Sequence, residues 1–283
     1  MPFWLKIIIK IILSRIRIKY SLWHKLNIFR HGDMDDPTYS FTTFMTHYNR
    51  INIDNNKNTI AMELGPGDSI NSALIANSLG FSESYLVDVG SYAKKNTVVY
   101  MNMQDYLENH RMSSPGIKSS FSFNDILTHC NAHYVTSGLQ SLNEISDNSI
   151  DFLFSEATLE HVYKSEFYEF LCETKRILKR GSYCSHTIDL RDHLGGGLNN
   201  LRFTTKVWES KIFKQSGFYT NRYRYSQILT MFKKAGFEIV NIKKKEYTKL
   251  PIKKNKLARE YCNLPTSDLL VLSFSILLFC PEQ

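Results

Sequence analysis

The chain has 283 residues, of which 43% are hydrophobic and 22% charged, with a formal net charge of +8. That apolar content excludes a disordered chain, and thirteen glycines with seven prolines exclude a collagen-like or linker-dominated one. The charge is unevenly placed. Residues 1–30 hold seven basic residues and no acid, residues 243–260 hold eight basic and two acidic, and residues 31–242 hold 20 basic and 23 acidic. Anionic partners are therefore a question about two segments, and no nucleic acid is expected. Five cysteines, odd in number and without close pairs, suggest neither a disulfide framework nor a zinc site. No metal is expected, and a reducing cytoplasm is the simplest setting.

Taken in chain order, residues 3–13 (FWLKIIIKIIL) read as a helix with Lys6, Lys10, Ser14 and Arg17 on one face and isoleucines around the rest. Lysines interrupt the apolar run, so it is no signal peptide, and it is too short to span a bilayer. Two readings stay open: an interfacial helix on an anionic membrane, with Trp4 and Trp23 at headgroup level, or a helix packed on the domain. Residues 20–58 form an irregular or helical lead-in, with HGDMDDP as a turn cluster.

From residue 59 strands and helices alternate. Strands are expected at 59–64, 84–89, 133–138, 149–155, 182–189, 237–242 and 268–280. Helices are expected at 70–79, stopped by Gly80, at 165–181, ended by Gly181, and at 226–236. In the second helix Phe167, Phe170, Leu171, Thr174, Ile177 and Leu178 line one face. The alternation argues for an α/β fold, a mostly parallel sheet covered on both faces.

The sharpest motif is Glu63-Leu64-Gly65-Pro66-Gly67-Asp68-Ser69, between a strand and a helix. That turn lies at the carboxyl ends of the strands, where ligands bind. Gly65 and Gly67 permit a sharp bend and close backbone approach. Two carboxylates there repel a pyrophosphate and suit a cationic ligand, and Ile70 replaces the third glycine of a dinucleotide fingerprint. Asp88 ends the second strand 21 residues after Gly67, placed to bond ribose hydroxyls.

ELGPGDS followed by LVDV resembles motif I and the strand-two acid of class I S-adenosylmethionine-dependent methyltransferases. SIDFLFSEATLEHV is similar to their fourth strand and following loop, RILKRG to their R-x-L-K-P-G-G, and NRYRYSQILTMFKKAGFEIV to their late helix–strand unit. The resemblance covers about residues 59–283. It implies a Rossmann-like doubly wound sheet of about seven strands, the last antiparallel, with residues 1–50 as a basic helical extension and 51–283 as the cofactor-binding domain. It implies that Glu63, Gly65, Pro66 and Gly67 line the methionine and adenosine, that Asp88 and Val89 meet the ribose, and that Ser155 lines the site. Gly138 and Leu139 would sit near the adenine, although many relatives carry Asp where Leu139 falls.

For the methyl acceptor, the [DN]-P-P-[YF] signature of many amino-directed enzymes is absent: Ser155-Glu156-Ala157-Thr158 stands there. Oxygen or carbon remains, and an alcohol benefits from a general base. Candidates are Glu160, His161, Asp189 and His193, whereas His186, within a strand, reads as structural. HLGGGLNNLRF (193–203) and FYTNRYRYS (218–226) are candidates for a lid, with Tyr219, Tyr223 and Tyr225 available to stack on a sugar. The run 243–256 reads most cheaply as a solvated loop. The similar branch of the family acts in bacterial surface-polysaccharide or lipopolysaccharide biosynthesis, which implies a glycan or small-molecule acceptor, a cytoplasmic enzyme, and peripheral membrane contact through residues 1–19. The alternatives are a dinucleotide-dependent oxidoreductase and a non-catalytic module of the same fold.

Overall fold

The computed structural model describes residues 3–15, 33–51, 53 and 58–282. Arg17, Trp23 and residues 20–32, 52 and 54–57 of the 20–58 lead-in lie outside the described residues. Seven strands form one sheet in the order β3-β2-β1-β4-β5-β7-β6. They are β1 (Ile60–Leu64), β2 (Glu83–Val87), β3 (Ala132–Val135), β4 (Ile150–Glu156), β5 (Leu178–Asp189), β6 (Glu238–Glu246) and β7 (Val271–Phe279). Only β7 is reversed: it runs antiparallel to both β5 and β6, and the other pairings are parallel. This is the doubly wound Rossmann-like arrangement the strand–helix alternation implies. The strand order reverses at β1/β4, so the site of such a fold falls at the carboxyl ends of β1, β2 and β4.

Both faces of the sheet are buried, which is why its central strands are so apolar. One face packs Met62, Leu64, Leu153 and Ile188 against helices Phe167–Ile177 and Tyr225–Lys234. The expected stripe of the first of these is buried from Phe167 to Leu178. The other face packs Ala61, Leu86, Phe152 and Phe154 against helices Pro37–Tyr48, Asn71–Ser78, Val98–Asn109 and Phe123–His129. Helix Pro37–Tyr48 follows directly on the DMDD turn. Asp36 caps it by accepting the Tyr39 N–H at 2.8 Å, Pro37 occupies the first turn, and Phe44 reaches the core.

Three boundaries differ from expectation. Gly181 does not end a helix; the chain turns extended at Leu178, and Gly181 (φ +78°) lies inside β5. There the pairing with β4 slips from Ile150↔Leu178 to Phe152↔Tyr183, an irregularity that its positive φ accommodates. Residues 266–270 form a helical turn, so the last strand starts at Val271. Lys243, Lys244 and Lys245 are not in a loop. They extend β6, the exposed edge strand, where like charges oppose pairing with another sheet.

Helix Phe3–Arg15 packs Ile7 into a small cluster with Leu194, Trp208, Phe218 and Tyr219. Lys10 donates to the His193 carbonyl at 2.9 Å and is half-buried, and Lys6 reaches Gly195. The lysine face therefore turns toward the protein, and Trp4, Ile8, Ile9 and Ile12 turn outward.

Candidate active site

The turn after β1 closes on itself. Gly65 (φ +75°) donates to the Val87 carbonyl at 2.8 Å, and Gly67 (φ +67°) donates to Asp88 Oδ2 at 3.2 Å. Asp88 Oδ1 accepts the Val89 N–H at 2.7 Å, and the Gly138 N–H meets the Asp88 carbonyl at 2.8 Å. Gly65, Gly67, Asp88, Val89 and Gly138 thus share one end of the sheet, with Pro66 buried in the turn and Leu139 opening the next helix. A side chain is excluded at two points. A Cβ on Gly65 would lie 2.3 Å from Thr158 Oγ1, and one on Gly138 would lie 2.9 Å from Val89 Cγ1.

Glu63 is 3% exposed, and its Oε2 has no hydrogen-bond partner among the described residues. Burial pushes its pKa up to about 8, Asp88 and Glu156 add to the shift, and the Ser72 hydroxyl only partly offsets it. Burial likewise raises Asp88 to about 6 against three backbone N–H groups that favour its ionised form. Asp68 is also raised, to about 7, by burial and by Asp35, but Lys94 lies 3.8 Å from it and also pairs with Asp35. Asp68, Lys94 and Asp35 thus form a three-charge cluster beside the turn.

Ser155 is not at this surface. It is buried on the opposite sheet face and bonds His186 Nδ1 at 2.8 Å, while His186 stacks on Phe232 at 5.7 Å. Burial lowers the His186 pKa to about 3, so its structural reading holds. The next residue, Glu156, faces the other side of the sheet. Its Oε2 lies 3.1 Å from His47 Nε2, His47 Nδ1 lies 2.7 Å from Ser185 Oγ, and Arg50 donates to the same hydroxyl at 2.9 Å. A carboxylate only accepts, so Nε2 carries the proton and Nδ1 accepts from Ser185. Neither Glu156 nor His47 was named from sequence; the latter sits in a helix with no motif.

The four acceptor-side candidates separate by environment. Glu160 is 2% exposed on the Leu159–His161 turn, where burial first, and Asp189 and Glu156 after it, hold its pKa well above the usual range. Its Oε1 accepts the Asp189 N–H at 3.2 Å. Asp189 is gripped by Arg191 through Nε (2.9 Å) and Nη2 (2.7 Å). Burial pushes Asp189 up, but the Arg191 bonds together hold it below the usual carboxylate range. That makes it a loop anchor and a poor proton acceptor.

His161 and His193 come together, with ring centroids 4.9 Å apart. His161 Nδ1 donates to the Tyr219 carbonyl at 3.0 Å, which makes Nε2 its basic nitrogen. His193 is kept neutral by burial, and its Nε2 has no hydrogen-bond partner among the described residues.

The segments expected to form a lid are instead fixed. Asp192 caps its own loop by accepting the Leu194 (3.0 Å) and Gly197 (3.2 Å) N–H groups. Tyr219 is buried, and Asn221 Nδ2 donates to the carbonyls of Leu159 (2.8 Å) and Val162 (3.2 Å), stapling the turn that carries His161. Arg224, 1% exposed, donates to the carbonyls of Leu190, Asp268, Leu269 and Val271. Arg224→Met keeps the volume but orphans these acceptors. A loss of at least about 3 kcal/mol in urea-unfolding stability is expected.

A cationic ligand fits this end of the sheet. Glu63, Asp88 and Glu156 surround a glycine turn too tight for side chains, and Glu63 presents a buried oxygen that lacks a partner. A pyrophosphate does not fit there, and Ile70 is wholly buried where a third glycine would approach it.

Residues 62–185 match the family model described as a methyltransferase domain. Residues 62–185 are therefore a methyltransferase domain, which makes the protein an enzyme, with S-adenosylmethionine as its cofactor. The dinucleotide alternative has no support in this match. No curated protein matches the chain in sequence. Among solved structures, a Haloferax volcanii methyltransferase complexed with the Trm112 activator is similar at 12% identity and a TM-score of 0.49, over 89% of this chain and 93% of that one. A Methanosarcina mazei SAM-dependent methyltransferase is similar at 17% identity and a TM-score of 0.44, over 80% and 95%. A Mesorhizobium loti S-adenosylmethionine-dependent methyltransferase is similar at 13% and 0.46, over 81% and 94%. Likenesses this loose identify no substrate.

Proposed function

We propose that this enzyme methylates a hydroxyl oxygen, with a sugar of polysaccharide or lipopolysaccharide biosynthesis as acceptor. When bound, S-adenosylmethionine supplies a methyl group on a cationic sulfur, open to displacement. Glu63 and Asp88 are the residues that would hold it: Glu63 meets positive charge, and Asp88 takes ribose hydroxyls as Gly65 and Gly67 let the backbone close in. Gly138 and Leu139 would border the adenine, and Val89 would lie beside Asp88 at the ribose. Glu156, oriented by His47, is a further acid on the same side.

The observation that carries the oxygen reading is the imidazole pair at the ends of β4 and β5. An attacking hydroxyl must lose its proton, and His161 Nε2 is the atom suited to take it. Burial pushes the pKa of the neighbouring His193 down, which disfavours a second positive imidazole beside His161. Glu160 and Asp189 shape the turn and the loop. The missing proline pair after β4 weighs against an amide or base nitrogen. The same reading sets the enzyme in the cytoplasm, peripheral on the inner face of the membrane; among the described residues, no helix is long and apolar enough to cross one.

Mass spectrometry of surface glycans from cells with and without the gene tests the acceptor. One O-methyl group is expected to disappear, and to stay absent when the gene returns as His161→Ala. A glycan profile identical in all three strains would overturn the sugar reading.

A further inference from the structure

Eleven large apolar or aromatic side chains are exposed among the described residues, and six of them form one neighbourhood. Trp4, Ile8, Ile9 and Ile12 lie on helix Phe3–Arg15, with Trp4 54% and Ile12 56% exposed. Val207 and Ile212 lie on the short turns Thr205–Trp208 and Lys211–Lys214. Two contacts bring these parts together. Arg15 donates to the Ile212 carbonyl at 3.5 Å, and Ile7 packs on Trp208 and Phe218.

The orientation of the helix is unusual. A helix that merely caps a domain buries its apolar face and shows water its lysines. Here Lys10 is spent on the His193 carbonyl and the apolar stripe points away from the protein. Lys206, Lys211 and Arg15 are exposed around the stripe. An apolar stripe ringed by positive charge complements an anionic bilayer surface, where acyl chains meet the stripe and headgroups meet the ring.

We infer that the outward face of helix Phe3–Arg15, extended by Val207 and Ile212, is a docking surface for an anionic lipid bilayer. The helix lies flat, with Ile8 and Ile12 at the acyl boundary and Trp4 at headgroup level. Through Lys10 it also touches the loop that carries His193, so docking holds the candidate acceptor site beside the membrane. The inference does not depend on which acceptor is methylated.

The test is co-sedimentation of the full chain with vesicles of phosphatidylglycerol and phosphatidylcholine, or of phosphatidylcholine alone. Wild type is expected to bind the anionic vesicles at least tenfold more tightly, less so at high salt, with a blue shift of fluorescence that Trp4→Phe removes. The double variant Ile8→Asp/Ile12→Asp is expected to lose at least tenfold in vesicle affinity. Both positions are exposed, so its melting temperature and its S-adenosylhomocysteine affinity should stay at the wild-type values, which separates lost docking from lost folding. Equal binding by wild type and the double variant, or no preference for anionic vesicles, would overturn the inference. So would a dimer in sedimentation velocity that the double variant dissolves, because the stripe would then be covered by a second copy.

Discussion

Glu63→Gln is expected to lower cofactor affinity by roughly 100-fold or more, and at pH 8 to melt several degrees above the wild type. Both effects come from one buried oxygen. In the ligand-free protein Glu63 titrates near pH 8, against an ordinary value of 4.5, chiefly because it is buried. The folded state then holds a proton that the unfolded state has released between those two values. Stability therefore falls as pH rises through that window and levels off above it. Gln cannot ionise and escapes the penalty, which is on the order of a few kcal/mol at pH 8. The gap should close toward pH 4.5, where both side chains are neutral. Cofactor binding runs the other way. A cation favours the ionised form, so wild-type affinity should rise with pH toward about 8, and the Gln variant should lack most of that rise. Thermal melts from pH 5 to 9 with titrations at the same pH values check both. A variant less stable than wild type at every pH would show that Glu63 is held by bonds rather than by the ligand's charge.

Gly65→Ala should be the most damaging single methyl in the site. The new Cβ meets Thr158 Oγ1 at 2.3 Å and Cγ2 at 2.5 Å, and the backbone there has φ +75°, where L side chains cost about 1–2 kcal/mol. Thr158 follows Ala157, itself at φ +49°, so the loop after β4 has little freedom to retreat. A loss of roughly 2–4 kcal/mol in urea-unfolding stability is expected, with loss of measurable cofactor binding. Adding Thr158→Gly should recover the part due to collision and leave the part due to φ. Wild-type stability and binding in the single variant would mean that the turn is not packed as described.

The parts legible in the sequence were those in which local chemistry and tertiary role coincide. Glu63, Gly65, Gly67 and Asp88 could be found because a strand, a glycine turn and an acid at fixed spacing serve one end of one sheet. The stripe Phe167–Leu178 could be found because helix period and burial agree. Helix Val98–Asn109 went unassigned although Tyr100, Met103, Gln104 and Leu107 are helix-spaced, since a buried Gln and a Met give little apolar contrast. Ser155 was misplaced by one residue of strand parity: adjacent residues face opposite sides, and only the pairing with His186 shows which side Ser155 takes. His47 carries no local signal, because its partners lie 109 and 138 residues away. The aromatic segment 218–226 suggested an exposed lid. What sequence could not show is that Asn221 and Arg224 find carbonyls from distant segments and turn it into a buried strap.

In the proposed function an acidic glycine turn closed by Asp88 receives a cationic cofactor. Isothermal titration of wild type and Asp88→Ala with S-adenosylmethionine and with NADH addresses it most directly. Asp88 is the residue proposed to take the ribose hydroxyls of the first ligand, and its carboxylate already accepts the Gly67 and Val89 N–H groups of the turn. The expected result is saturable binding of S-adenosylmethionine by wild type, at least tenfold weaker binding by Asp88→Ala, and no binding of NADH by either. Equal affinity in the two proteins, or NADH binding with S-adenosylmethionine excluded, would rule out this role for Asp88 and the turn.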